Sequence, residues 1–161
     1  MQSGQLGRAL KRISMQVAED LKGNKNVHIF GLNTRGYHTG VVIARFLSDA
    51  IGHPVSCLSL DAHSDTCLSD ETASLVHKSA YILLVDDVLF SGSTMMKAIR
   101  KVLDAGEPQI IKVAVIIDRG HRKFPVQPDF TGLVSPTKFR EHVEVEFDTN
   151  DRPVSVILTE H

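Results

Sequence analysis

The stretch Ile82-Leu83-Leu84-Val85-Asp86-Asp87-Val88-Leu89-Phe90-Ser91-Gly92-Ser93-Thr94 leaves few folds open to this chain. Its first half is a run of branched apolar residues, the pattern of a strand buried on both faces of a parallel sheet. Two carboxylates end that run. The small-residue loop Ser91-Gly92-Ser93-Thr94 then opens onto Met95 to Leu103, which has helical spacing and few breakers. Strand, acidic pair, loop and helix N-terminus in this order make a phosphate cradle beside two ligands for sugar hydroxyls or a metal ion. The loop N–H groups point inward, and the helix end favours negative charge. Ligands of open α/β sheets sit at the carboxyl ends of the strands, where the acidic pair falls. The plainer alternative is a strand whose acids merely cap the next helix, but the ordered Ser-Gly-Ser-Thr favours the cradle.

The rest of the chain supplies the sheet. Leu6, Leu10, Ile13, Val17 and Leu21 recur at helical spacing and stop near Gly23-Asn24. Val27 to Leu32 reads as a strand, followed by the turn Asn33-Thr34-Arg35-Gly36 and a helix to about Ile51. Val55 to Leu60 is the next strand. From Asp61 to Lys78 the periodicity vanishes, and a polar loop is expected. Ile110 to Ile117 is a second continuous apolar run, ending at Asp118-Arg119-Gly120. A Pro-rich crossing spans His121 to Glu141, and the alternation from Val143 to Leu158 predicts an antiparallel hairpin with its turn at Asp148 to Arg152. Strands alternating with helices indicate a mainly parallel α/β sheet, and right-handed crossovers bring the ends of Leu32, Leu60, Asp87 and Asp118 to one rim. There Thr34-Arg35-Gly36 offers a second anion clamp, since glycine admits close approach and arginine can bind bidentately. A phosphoryl-accepting receiver domain also has an acidic pair, but at its first strand, and too few residues follow Asp87 here.

With 161 residues, one domain is the simplest organisation. Lys plus Arg number 18 and Asp plus Glu 19, a formal net charge of −1, so nothing favours a general grip on nucleic acid or anionic membrane. No apolar run is long enough to span a bilayer and no secretory signal opens the chain. Cys57 and Cys67 have no metal-site spacing, which argues against a disulfide framework and for a reducing cytoplasm.

The acidic pair with its Ser-Gly-Ser-Thr loop resembles the phosphoribosyl pyrophosphate (PRPP) motif of the type I phosphoribosyltransferases. Gly31-Leu32-Asn33-Thr34-Arg35-Gly36 and Ala114 to Arg122, with Asp-Arg-Gly-His-Arg at its end, narrow the resemblance. They are similar to the pyrimidine operon attenuator / uracil phosphoribosyltransferase (PyrR) family. The resemblance implies one type I phosphoribosyltransferase domain over residues 1–161: a twisted, mainly parallel sheet flanked by helices, with the C-terminal antiparallel hairpin as a hood. It implies binding of PRPP with Mg²⁺ and transfer of phosphoribose to uracil or a related pyrimidine, giving UMP and pyrophosphate. Asp86, Asp87 and Arg35 would be the catalytic residues, with Asp86 and Asp87 on the ribose hydroxyls and seating Mg²⁺. Val88, Leu89, Phe90, Ser91, Gly92, Ser93 and Thr94 would hold the 5′-phosphate, and Asn33, Thr34, Arg35 and Gly36 the pyrophosphate. Asp118, Arg119 and Gly120 would lie at the base.

Three departures from the family set further expectations. The family's mobile loop follows Tyr-Arg-Asp-Asp, where this chain has Ser59-Leu60-Asp61-Ala62. The shortened loop after it carries Asp61, Asp65, Asp70 and Glu71 and no Lys or Arg before Lys78. Phe90 stands where the family tends to have Tyr and purine-specific relatives an acid. Ser93 stands where Arg is frequent. Weak turnover is therefore expected, and a catalytically weak PRPP- or nucleotide-sensing regulator of pyrimidine gene expression is the rival reading. Arg8, Lys11, Arg12, Arg122, Lys123, Lys138 and Arg140 are scattered rather than clustered, so tight binding of leader RNA is not expected. A homodimer is.

Overall fold

The protein is described by a computed structural model covering residues 1–138 and 140–160. It opens with α1 (Ser3–Asp20), whose Leu6, Leu10, Ile13 and Val17 are almost wholly buried on one face. Burying each such side chain contributes roughly 1.5–3 kcal/mol. Gly23, with φ of +83°, turns the chain out of the helix in the left-handed conformation that glycine adopts without strain.

There follow β1 (Val27–Leu32), α2 (Asn33–Ile51), β2 (Cys57–Leu60), the short α3 (Asp70–Ala73) and β3 (Tyr81–Leu89). Then come α4 (Ser93–Ala105), β4 (Ile110–Asp118), β5 (Phe130–Val134), β6 (Glu141–Phe147) and β7 (Pro153–Glu160). The first five strands form one parallel sheet in the order β2-β1-β3-β4-β5, and β6 and β7 form a separate antiparallel hairpin. Alternate residues of β3 serve opposite faces, as the pleat requires. Leu83 and Val85 join α1 and α2 in one core, while Ile82 and Leu84 join Met95, Ala98 and Val102 of α4 in the other.

Five boundaries differ from those the sequence suggests. The strand does not stop at the acids, because Asp86, Val88 and Leu89 still pair with Val115, Ile117 and Asp118. Asn33 to Gly36 is no separate turn but the first turn of α2, with Asn33 in the left-handed region. Strand β2 begins at Cys57 rather than Val55, whose N–H and carbonyl are both engaged by the Ser48 hydroxyl at 2.9 and 3.2 Å. The loop after β2 contains α3, capped by Ser69 Oγ accepting from Thr72 N–H. The Pro-rich crossing contains β5, a parallel edge strand on β4. The final hairpin forms as the alternation predicts. No helix of the described residues is long and apolar enough to cross a membrane.

Candidate active site

The carboxyl ends of β1, β2, β3 and β4 share one rim, and Asp86 and Asp87 stand at its centre. Each carboxylate accepts from the next backbone N–H within β3: Asp86 Oδ1 from Asp87 N–H and Asp87 Oδ1 from Val88 N–H, both at 2.9 Å. Asp87 Oδ2 accepts from Arg35 Nε at 3.0 Å. Burial first, and the neighbouring Asp87 charge second, push the Asp86 carboxyl well above the usual carboxylate range. A pair held this way favours an incoming cation or a set of hydroxyl donors. Gly36 brings the start of α2 against the pair, since a Cβ there would lie 2.6 Å from the Val85 carbonyl oxygen.

Arg35 faces both ways. Besides Asp87, its Nη1 meets Glu144 Oε1 at 3.2 Å, its Nη2 donates to the Val145 carbonyl, and its Cζ lies 5.2 Å from the Phe147 ring centre. His38, one helical turn on, lies 3.8 Å from the Asp151 carboxylate. The hairpin is thus fastened over the beginning of α2. Asn33 Oδ1 accepts from Ala62 N–H at 3.1 Å, which ties the same turn to the loop after β2, and Thr34 is exposed.

The cradle closes on the far side. Gly92 is the N-cap of α4 with φ of +83° and brings no side chain of its own to that helix end. Ser91 Oγ accepts from Ser93 N–H, and the Ser91 carbonyl accepts from the N–H groups of Lys123 and Phe124. The buried Arg119 stacks on Phe90, with Cζ 4.5 Å from the ring centre, and its Nε donates to Thr137 Oγ1 at 3.0 Å. Asp118 Oδ1 accepts from Gly120 N–H and from Arg122 Nη2, at 3.0 and 2.7 Å.

A family model described as the phosphoribosyl transferase domain matches residues 2–150. The chain belongs to that family. It is 34% identical over 165 residues to "Bifunctional protein PyrR" of Thermoanaerobacter sp., covering 96% of this chain and 93% of the relative. It is 38% identical over 158 residues to "Bifunctional protein PyrR 2" of Lactiplantibacillus plantarum, covering 89% and 90%. The fold matches the hypoxanthine phosphoribosyltransferase of Trypanosoma cruzi with a TM-score of 0.75 at 18% identity, covering 99% of this chain and 94% of that one.

In this phosphoribosyltransferase the residues expected at the 5′-phosphate, the pyrophosphate and the base all fall at the carboxyl ends of β1, β3 and β4. Direct contact joins Arg35 to Asp87 and Arg119 to both Leu89, through its backbone N–H, and Phe90. Val88 and Leu89 belong to the strand, and only Phe90 to Gly92 form the loop before the helix starts at Ser93. Sequence reasoning missed the hairpin residues Glu144, Val145 and Phe147 on Arg35, and Thr137 on Arg119. The alternation of β6 signals an inward face for Val145, but nothing in it names Arg35 as the partner. The charge pattern reads Arg122 as one of the scattered surface cations. It is instead folded inward, bonded to Asp118 and to the carbonyls of Phe90, Gly120 and Val126.

Proposed function

We propose that residues 1–161 act as one phosphoribosyltransferase domain that transfers phosphoribose from PRPP to uracil, giving UMP and pyrophosphate. The observation that carries this reading is the order β3, acidic pair, left-handed Gly92 and the start of α4, which sets two carboxylates beside a helix N-terminus suited to phosphate. In this reading Val88 to Thr94 take the 5′-phosphate and Asn33 to Gly36 the pyrophosphate. Asp118, Arg119 and Gly120 border the base. A pyrimidine is favoured because the base side presents the Phe90–Arg119 stack and no acid from the loop, and because relatives carry the PyrR name.

Asp86 and Asp87 would grip the ribose hydroxyls and seat Mg²⁺. The donor chemistry fits that ion: two adjacent carboxylates at the end of β3, hard oxygen ligands of the kind Mg²⁺ takes together with substrate phosphate. Mg²⁺ keeps several waters and completes its shell with phosphate oxygens. When bound, it supplies charge neutralisation on the departing pyrophosphate. The C1′–O bond to pyrophosphate breaks as the bond from uracil N1 to C1′ forms and the N1 proton is released, through an oxocarbenium-like state. The chain's contribution is placement and electrostatic stabilisation, with Arg35 on the leaving group and no protein nucleophile.

One observation favours the second reading, a catalytically weak regulator that senses PRPP or nucleotide. The loop after β2 brings no cation to the rim and is fastened to α4 by Lys101 Nζ, which donates to the Asp61 carbonyl and Ser64 Oγ. Tight RNA binding stays outside the proposal, since Arg12 is occupied by the Thr131 and Gly132 carbonyls and Arg122 is folded inward. A cytoplasmic homodimer is the expected working form. The test is UMP formation from PRPP, uracil and Mg²⁺. We expect uracil-dependent product at a rate below about 1 per second, at the slow edge of the enzyme range. Binding of PRPP without any UMP would leave the regulator, and transfer to a purine in preference to uracil would contradict the assignment.

A further inference from the structure

Away from the rim, a cavity of about 500 Å³ lies between α4 and the chain that follows β2. That volume is within the range of small-molecule sites, about 300–1,000 Å³. One wall is cationic. Lys97, Arg100 and Lys101 succeed one another at i, i+3 and i+4, so all three fall on one side of the helix. None of them takes part in an ion pair among the described residues, although Asp65 and Asp104 also line the space. The facing wall, from the loop after β2, is mixed: Ala62, Cys67 and Leu68 are apolar, and His63, Ser64, Asp65 and Thr66 are polar. Ala62 and Leu68 are held there because Lys101 Nζ pins the loop start, at 2.6 Å to the Asp61 carbonyl and 2.7 Å to Ser64 Oγ.

Cations without carboxylate partners, opposite a wall that offers both hydroxyls and apolar side chains, suit an anion that carries hydroxyls and a flat, weakly polar body. Three cations against two carboxylates leave a single net positive charge, which suits one phosphate better than two or three. We propose that this cavity is a second binding site, taking a nucleoside 5′-monophosphate with its phosphate on Lys97 and Arg100 and its base against Ala62 and Leu68. The site is physically joined to the rim. Ala62, on the cavity wall, donates its N–H to Asn33 Oδ1 at 3.1 Å, and α4 starts at the phosphate loop. Any coupling between the two sites is reciprocal in binding free energy. The proposal goes beyond the transferase reading and does not depend on it.

The experiment is equilibrium dialysis of the full chain against each of the four common nucleoside 5′-monophosphates, counting equivalents bound at saturation. Wild type is compared with Lys97→Glu/Arg100→Glu. Both residues are exposed, so the fold should survive; Lys97→Met/Arg100→Met is the fallback, with an unchanged melting temperature required of whichever is used. For at least one nucleotide the variant should bind one equivalent fewer than wild type. Equal stoichiometry in both proteins for all four nucleotides overturns the second site. An equivalent that remains in the variant should be displaced by PRPP with Mg²⁺. Its persistence would count against the transferase reading and leave the cavity assignment standing.

Discussion

A methyl group at position 36 would sit 2.6 Å from the Val85 carbonyl oxygen and 3.2 Å from Asp86 Oδ1, distances that only a shift of α2 or β3 can relieve. Gly36→Ala should therefore destabilise the fold by about 1–3 kcal/mol. It should also weaken PRPP binding by roughly 100-fold, the scale of a 1 Å misplacement. Chemical denaturation and calorimetry read the two effects separately. The cysteines make a second residue-scale contrast. Both are free, and Cys67 is exposed. Cys57 is packed against Gly40, with Sγ 2.5 Å from where a Cβ at Gly40 would lie, and burial pushes its thiol up to about 12. Only thiolate attacks thiol reagents, and a raised value keeps it scarce at pH 8. One equivalent of thiol should react in the native chain at pH 8, at Cys67, and two after unfolding. Fast labelling of Cys57 in the native state would show that its packing is looser than described.

At the scale of elements, the clasp between α2 and the β6–β7 hairpin holds Arg35 to Glu144 and the Val145 carbonyl as well as to Asp87. A pyrophosphate reaching Arg35 must compete with that carboxylate. Arg35 and Glu144 are both well exposed, at 43% and 59%, so the pair is worth no more than about 1 kcal/mol. Glu144→Gln should accordingly raise PRPP affinity by up to about fivefold. A drop in affinity would mean that Glu144 positions Arg35 rather than competing for it. This clasp was not legible in the sequence, because 109 residues separate Arg35 from Glu144 and neither has an unusual local pattern. The edge strand β5 was hidden for a different reason. It has five residues between Pro128 and Pro136, one of them Gly132, and Leu133 and Val134 are exposed, so no buried face repeats. Strand β3 was legible as far as Val85. Its continuation was not, since carboxylates inside a ladder are tolerated only where the sheet opens to a ligand rim.

The whole molecule is a parallel sheet covered on both faces, with α1 and α2 on one side and α4 on the other. That much follows from apolar runs alternating with amphipathic helices. So does the convergence of the β1, β3 and β4 ends, which parallel strands enforce. What the pattern could not supply is the fastening of the rim: Arg119 on Phe90 and Thr137, Arg122 on Asp118, and Lys101 on the loop after β2. Each is a long side chain crossing between elements, with no periodicity to announce it. A PRPP site at the junction of β3 and α4 is the proposed centre of the molecule's function. Calorimetric titration of Mg²⁺ and PRPP into the wild type and into Asp86→Asn/Asp87→Asn tests it most directly. Saturable one-to-one binding to the wild type, lost in the double variant while its melting temperature stays at or above the wild-type value, is the predicted result. Equal affinity in the two proteins, or no binding to either, would contradict it.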